Sequence, residues 1–168
     1  MQDEIVNKVA QSKLITFNLE DYYPKGNRMV LDIKDWLFEG FILREKEFRA
    51  SVDAHEWSQY EGAYVAMYCT TDAIVPGWAY LLLSVKLSGI AKKAIQGSLV
   101  DLETSIYQSI IENIDVSEFQ DKMIIIKGCS KKPVPSNAYL FLAERLKPVA
   151  KSIMYGEACS SVPLYKRK

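Results

Sequence analysis

The sequence predicts an α/β fold: a mixed sheet built on two internally repeated βαβ units, with a less regular α+β N-terminal third. Three observations predict it. The chain matches itself at an offset of 59 residues, both copies follow the same order of apolar run, proline-led helix and short second run, and an amphipathic helix joins them. Residues 75–97 lie over 134–156, and ten of the 23 aligned positions are identical, among them Pro76/Pro135, Tyr80/Tyr139, Leu83/Leu142, Leu87/Leu146 and Gly97/Gly156.

Each copy begins with a short apolar run, 64–68 in one and 123–126 in the other, the length and composition of a buried strand. A polar loop then reaches Val-Pro. Pro76 and Pro135 suit the first turn of a helix, where the ring's fixed φ is already helical and the missing N–H would have had no partner. In the second helix Ala138, Phe141, Leu142, Leu146 and Val149 share one face. Short strands follow at 94–96 and 152–155, each closed by a glycine. Strand, helix, strand over about 30 residues is the length a parallel crossover needs. Between the copies Leu99, Leu102, Ile106, Ile110 and Ile114 are spaced for one face of a connecting helix.

The first third is read element by element. Ile5, Val6 and Val9 predict a helix over 2–11, alternation predicts a strand over 14–19, and Tyr22 to Asn27 carries turn residues around Pro24 and Gly26. Further strands are expected at 28–33 and 40–43, then a charged surface helix over 45–56. The whole is expected to form one domain over 1–168, with an N-terminal α+β portion at 1–62 and the duplicated portion at 63–168.

Composition excludes more than it identifies. With 49% apolar and 25% charged residues the chain has the means to fold as a globule. Its 21 basic and 21 acidic residues cancel, which argues against a nucleic-acid or anionic-membrane partner. No apolar run approaches the ~20 residues of a membrane span, and the N-terminus carries no signal-peptide pattern. A cytoplasmic location is expected, with the odd number of cysteines held as thiols.

Those three thiols are the chief chemical feature. The fold places Cys69 and Cys129 after the first strand of each copy, and Cys159 shortly after the last strand. Loops converge on the carboxyl edge of a parallel sheet, and helix N-termini there favour anionic groups. Thiolates select zinc, iron or an iron–sulfur cluster, so a metal site formed by Cys69, Cys129 and Cys159 is the leading expectation, with His55 or Asp72 as fourth ligand. Two alternatives stand beside it. The cysteines are small packing residues of a non-catalytic interaction module, or Cys129, flanked by Lys127, Lys131 and Lys132, is the reactive thiol of a persulfide carrier. An enzyme is the weaker reading: no phosphate-binding glycine loop, no His-Glu-x-x-His and no nucleophile elbow occur. Tyr80, Tyr139, Trp36, Trp57 and Trp78 read as aromatics at the core edge.

Several stretches carry a family resemblance: residues 4–9, 32–40, His55-Glu56-Trp57-Ser58-Gln59-Tyr60, residues 72–76, Ile126-Lys127-Gly128-Cys129, and the closing run 152–166 around Gly156-Glu157-Ala158-Cys159. Over residues 3–167 the chain resembles the bacterial family called domain of unknown function 2480, typical of Bacteroidetes-type bacteria. The resemblance implies an accessory role beside iron–sulfur cluster assembly proteins, and it carries over no catalytic residue.

Overall fold

The computed structural model describes residues 14–128, 131–157 and 159–168. The helix expected over 2–11 lies outside them. The fold is α/β, with four α-helices and two sheets among the described residues, one all-parallel and one mixed, rather than a single mixed sheet. The chain forms two compact units, a central one, Pro24–Ile106, and a terminal one, Met1–Tyr23 with Tyr107–Lys168.

The central unit holds a parallel sheet of β2 (Arg28–Asp32), β3 (Tyr64–Tyr68) and β4 (Lys93–Gln96), with β3 in the middle. Helix α1 (Glu45–Ala54) links β2 to β3, and α2 (Gly77–Leu87) links β3 to β4. Residues of β3 are apolar on both faces because both faces are covered: Val65, Ala66 and Met67 are all buried. Although α1 is charged over most of its surface, Phe48 and Val52, four residues apart, turn inward and join Leu31, Val65, Ala79 and Leu83 in one core.

In the terminal unit β1 (Leu14–Phe17), β5 (Met123–Ile126) and β6 (Ser152–Glu157) run parallel, and β7 (Ser160–Lys166) returns antiparallel to β6 at the sheet edge. Helix α4 (Ser136–Leu146) makes the crossover from β5 to β6, burying Ala138, Leu142 and Leu146 against Ile124, Ile126 and Ile153. Helix α3 (Leu99–Glu112) contains the division at Ile106 and Tyr107. Its buried stripe runs through Leu102, Glu103, Ile106, Tyr107 and Ile111, while Leu99 is exposed and Ile110 and Ile114 are half-buried. The stripe expected from aliphatic residues alone is therefore rotated, because Tyr107 turns inward and its hydroxyl donates to the Leu19 carbonyl at 3.1 Å.

Several pairings recur at the 59-residue offset. Tyr64 lies opposite Lys93, and Met123 opposite Ser152. Lys92 donates its backbone N–H to Ala63, and Lys151 to Lys122, both at 2.8 Å. Gly62 and Asp121 both adopt left-handed backbone, at φ 66° and 57°. Pro76 and Pro135 each sit one residue before their helix, as extended N-caps, rather than within its first turn.

Two elements differ from expectation. Residues 40–43 form no strand: Glu39 and Gly40 turn left-handed and leave a single bridge from Phe38 to Ile42. Strand β7 is not announced by the sequence, because Pro163 interrupts its apolar pattern; an edge strand accommodates a proline, and Pro163 is paired with Met154 beside a β-bulge. No helix among the described residues is long and apolar enough to cross a membrane.

One ion pair ties the central unit together. Arg28, first residue of β2, donates from Nε and Nη2 to the two carboxylate oxygens of Glu103 at 2.6 and 3.2 Å. Its Nη1 donates to the carbonyls of Pro24 and Gly26. The side chains are 15% and 11% exposed, so each ion lies largely away from water and depends on the other. Replacing Arg28 with Met is expected to cost about 3–5 kcal/mol, read from denaturant unfolding, because it strands the Glu103 carboxylate. The double replacement Arg28→Met with Glu103→Leu should recover most of that loss; a double variant no more stable than the single one would show that the pair does more than neutralise itself.

Candidate functional site

The carboxyl edge of the central sheet carries the best-defined polar cluster. Asp32 ends β2 opposite Tyr68, the last residue of β3, so Cys69 begins the loop beside it. The Asp32 carboxylate accepts from the Thr70 hydroxyl at 2.6 Å, the Thr70 N–H at 3.2 Å and the Lys34 N–H at 3.1 Å. Burial pushes the Asp32 pKa up, but these hydrogen bonds and the Lys34 charge outweigh it and hold the carboxyl below its ordinary range. Cys69 is half-buried, with Sγ 3.2 Å from the Thr71 hydroxyl. That hydroxyl gives its own proton to the Gly40 carbonyl at 2.6 Å, which leaves its oxygen to accept from the Cys69 thiol. The Tyr80 phenol is raised above its ordinary range by burial first, then by Cys69 and Asp32. One rim thus gathers a thiol, a carboxylate, two threonine hydroxyls and a phenol.

Asp72 is exposed in the same loop, three residues beyond Cys69. His55 has a different setting. It follows α1 and is boxed by Trp36 and Trp57, both with ring centroids 4.9 Å away, and its Nε2 is 3.1 Å from the Tyr60 hydroxyl and 3.3 Å from the Gln59 amide. Burial lowers its pKa, against the pull of the Glu56 charge. These contacts give the imidazole a structural place in the aromatic cluster, so Asp72, which shares a loop with Cys69, is the better placed of the two proposed fourth ligands.

In the terminal unit a groove of about 580 Å³ opens at the carboxyl ends of β5 and β6, lined among others by Ile126, Gly128, Lys132, Tyr139, Tyr155 and Leu164. A Cβ at Gly128 would stand 2.9 Å from Cζ of Tyr155, so a larger residue there would have to displace that ring. Tyr139 meets Tyr155 edge to face at 5.9 Å. The Glu20 carboxylate accepts the backbone N–H groups of both Lys131 and Lys132, and Lys132 Nζ donates to the Glu20 carbonyl at 3.0 Å. Lys132 is therefore engaged with Glu20. Cys129, next after Gly128, lies outside the described residues. Cys159 is exposed, in the turn between β6 and β7.

Cys69 stands in the central unit and Cys159 in the terminal unit. Among the described residues no group of three or more histidine, cysteine, aspartate or glutamate side chains is placed to hold a metal ion. The two strand-end cysteines are also not equivalent: at the offset that aligns the strand registers, Cys69 lies over Gly128 and Cys129 over Thr70. Sequence reasoning missed Asp32 as the companion of Cys69. Its signal was present, an acidic residue closing an apolar run, but joining it to Cys69 needs the β2–β3 register.

The model of one family, described as "Protein of unknown function (DUF2480)", matches residues 3–167, and the chain belongs to that family. No curated protein and no solved structure matches it.

Two measurements check this geometry. Because His55 holds its folded pKa below the ordinary 6.5, the unfolded chain takes up the proton first as pH falls. Its contribution to stability is present above about pH 6.5 and is lost as pH falls from there through the folded pKa. The loss of stability between about pH 7.5 and 5.5 should accordingly be smaller in His55→Gln than in the wild type, by urea midpoint. In a Cys129→Ser background, exposed Cys159 should react with a thiol reagent at neutral pH about tenfold faster than Cys69 or more, and equal rates would contradict the burial of Cys69.

Proposed function

We propose that this family member is an accessory protein rather than an enzyme, and that it handles a soft metal ion, zinc or iron, or an iron–sulfur cluster, through Cys69, Cys129 and Cys159. Asp72 is the favoured fourth ligand and His55 the alternative; the partners are iron–sulfur assembly proteins in the cytoplasm. The observation that carries this reading is the placement of Cys69. It follows the middle strand of a parallel sheet, beside the Asp32 carboxylate, on the edge where loops gather and an anionic sulfur would serve as a metal ligand. Cys159 likewise follows β6, and the sequence puts Cys129 three residues after β5. Among the described residues no group of three makes a shell, and Cys129, the third thiol of the proposed set, lies outside them.

A second reading has its own observation. Cys69 packs against the central core and bonds to Thr71, as an inert thiol in a protein-interaction module would. In a third reading Cys129 alone carries persulfide sulfur.

Anaerobic purification followed by elemental analysis and an absorption spectrum separates the three. Near-stoichiometric zinc or iron in the wild type, lost when Cys69, Cys129 and Cys159 are all replaced by Ser, is the expected result. Metal-free protein whose stability is unchanged by chelators and by added zinc or ferrous iron would overturn the metal reading. The mass of one extra sulfur on Cys129, removable by a reductant, would select the carrier.

A further inference from the structure

Tyr80 carries a hydroxyl that the fold does not use. It is the fourth residue of α2, 8% exposed, with its ring in the central core. Among the described residues nothing hydrogen-bonds its hydroxyl, which keeps some accessible surface. A hydroxyl taken out of water without a partner costs stability that the plain ring of a phenylalanine would not. The oxygen therefore needs another reason to be there.

Its surroundings point to one. Side chains on a helix lean toward the helix N-terminus, here the end of α2 that is reached through the loop beginning at Cys69. Cys69 packs against the same core as Tyr80, and after burial it is Cys69 and Asp32 whose charges act on the phenol. The repeat puts the same two positions together. At the 59-residue offset Tyr80 lies over Tyr139 and Cys69 over Gly128, and Tyr139 and Gly128 line one groove. Asp32 already accepts from the Thr70 hydroxyl, the Thr70 N–H and the Lys34 N–H. Cys69 is the partner left, in one state only. As a thiol it gives its proton to Thr71, and a thiol sulfur is a weak acceptor.

We propose that Tyr80 is a positioning residue of this rim: its hydroxyl donates a hydrogen bond to the Cys69 sulfur when that sulfur is bound to a soft metal ion. This rests on the metal reading given above. On binding, a sulfur–metal bond replaces the S–H bond, the proton leaves to solvent, and the thiolate gains the acceptor strength the thiol lacks. A donor aimed at a ligating sulfur holds its orientation and draws electron density from it, which tunes the metal.

Anaerobic titration of the reduced full chain with cobalt(II), whose bonds to sulfur give a charge-transfer band, tests this in the wild type and in Tyr80→Phe. The variant is expected to bind about tenfold more weakly or worse. Its band should move to longer wavelength, because the sulfur loses the donor that held its electrons. Without added metal its urea midpoint should equal or exceed that of the wild type, since no bond within the fold is lost. Equal affinity and an unmoved band, with a wild type that binds cobalt, would overturn the proposal alone. So would a midpoint lowered without metal, which would show a hydroxyl spent on the fold. A wild type that takes up no cobalt would overturn the metal reading and this proposal with it.

Discussion

The Arg28–Glu103 pair is the constraint on which the central unit depends. A charge on the first residue of a strand and another on a helix 75 positions later are brought into a two-point contact, largely sealed from solvent, with two loop carbonyls accepting from Nη1. Such a pair adds little net stability over an apolar substitute, but it tolerates few alternative arrangements. It fixes where β2 starts. The start of β2 sets its register against β3, and that register puts Asp32 beside Cys69 and Thr70. Close approach around Gly26, where a Cβ would meet the Tyr64 ring at 2.9 Å, closes the same corner from the other side. The polar rim at the carboxyl edge is thus positioned from the opposite end of the strand.

In the terminal unit a comparable part is played by Glu20, which holds the backbone of Lys131 and Lys132 more than a hundred residues away. Each rim is organised by a carboxylate used as an acceptor for backbone N–H groups: Asp32 in one, Glu20 in the other. Their surroundings differ. Around Asp32 stand a thiol, hydroxyls and a phenol; around Glu20 stand lysines and a groove walled by tyrosines.

The fold was legible where one run of sequence carries its own pattern. Residues 64–68 and 123–126 could hardly be anything but interior strands, and the helices after Pro76 and Pro135 begin where the prolines place them. Legibility failed where a long-range contact decides. Tyr107 reaches Leu19 and turns α3, Gly40 makes a left-handed turn where the apolar residues suggested a strand, and Pro163 hides β7. The site was legible only in part. The position of Cys69 at a strand end followed from the pattern, but Asp32 as its neighbour follows from the β2–β3 pairing and from a hydrogen bond between residues 38 apart. His55 was read as a surface residue, and the rings of Trp36 and Trp57 that enclose it come from separate segments.

Pro163 has one more consequence. The terminal sheet ends at β7, whose outward residues Val162 and Leu164 are apolar and would otherwise invite a neighbouring chain to add a strand. The proline ring takes one N–H out of the strand, and the nearby bulge breaks the regularity of its ladder. An apolar edge interrupted in this way is a poorer template for an added strand, which matters most at high concentration or while the chain is newly made.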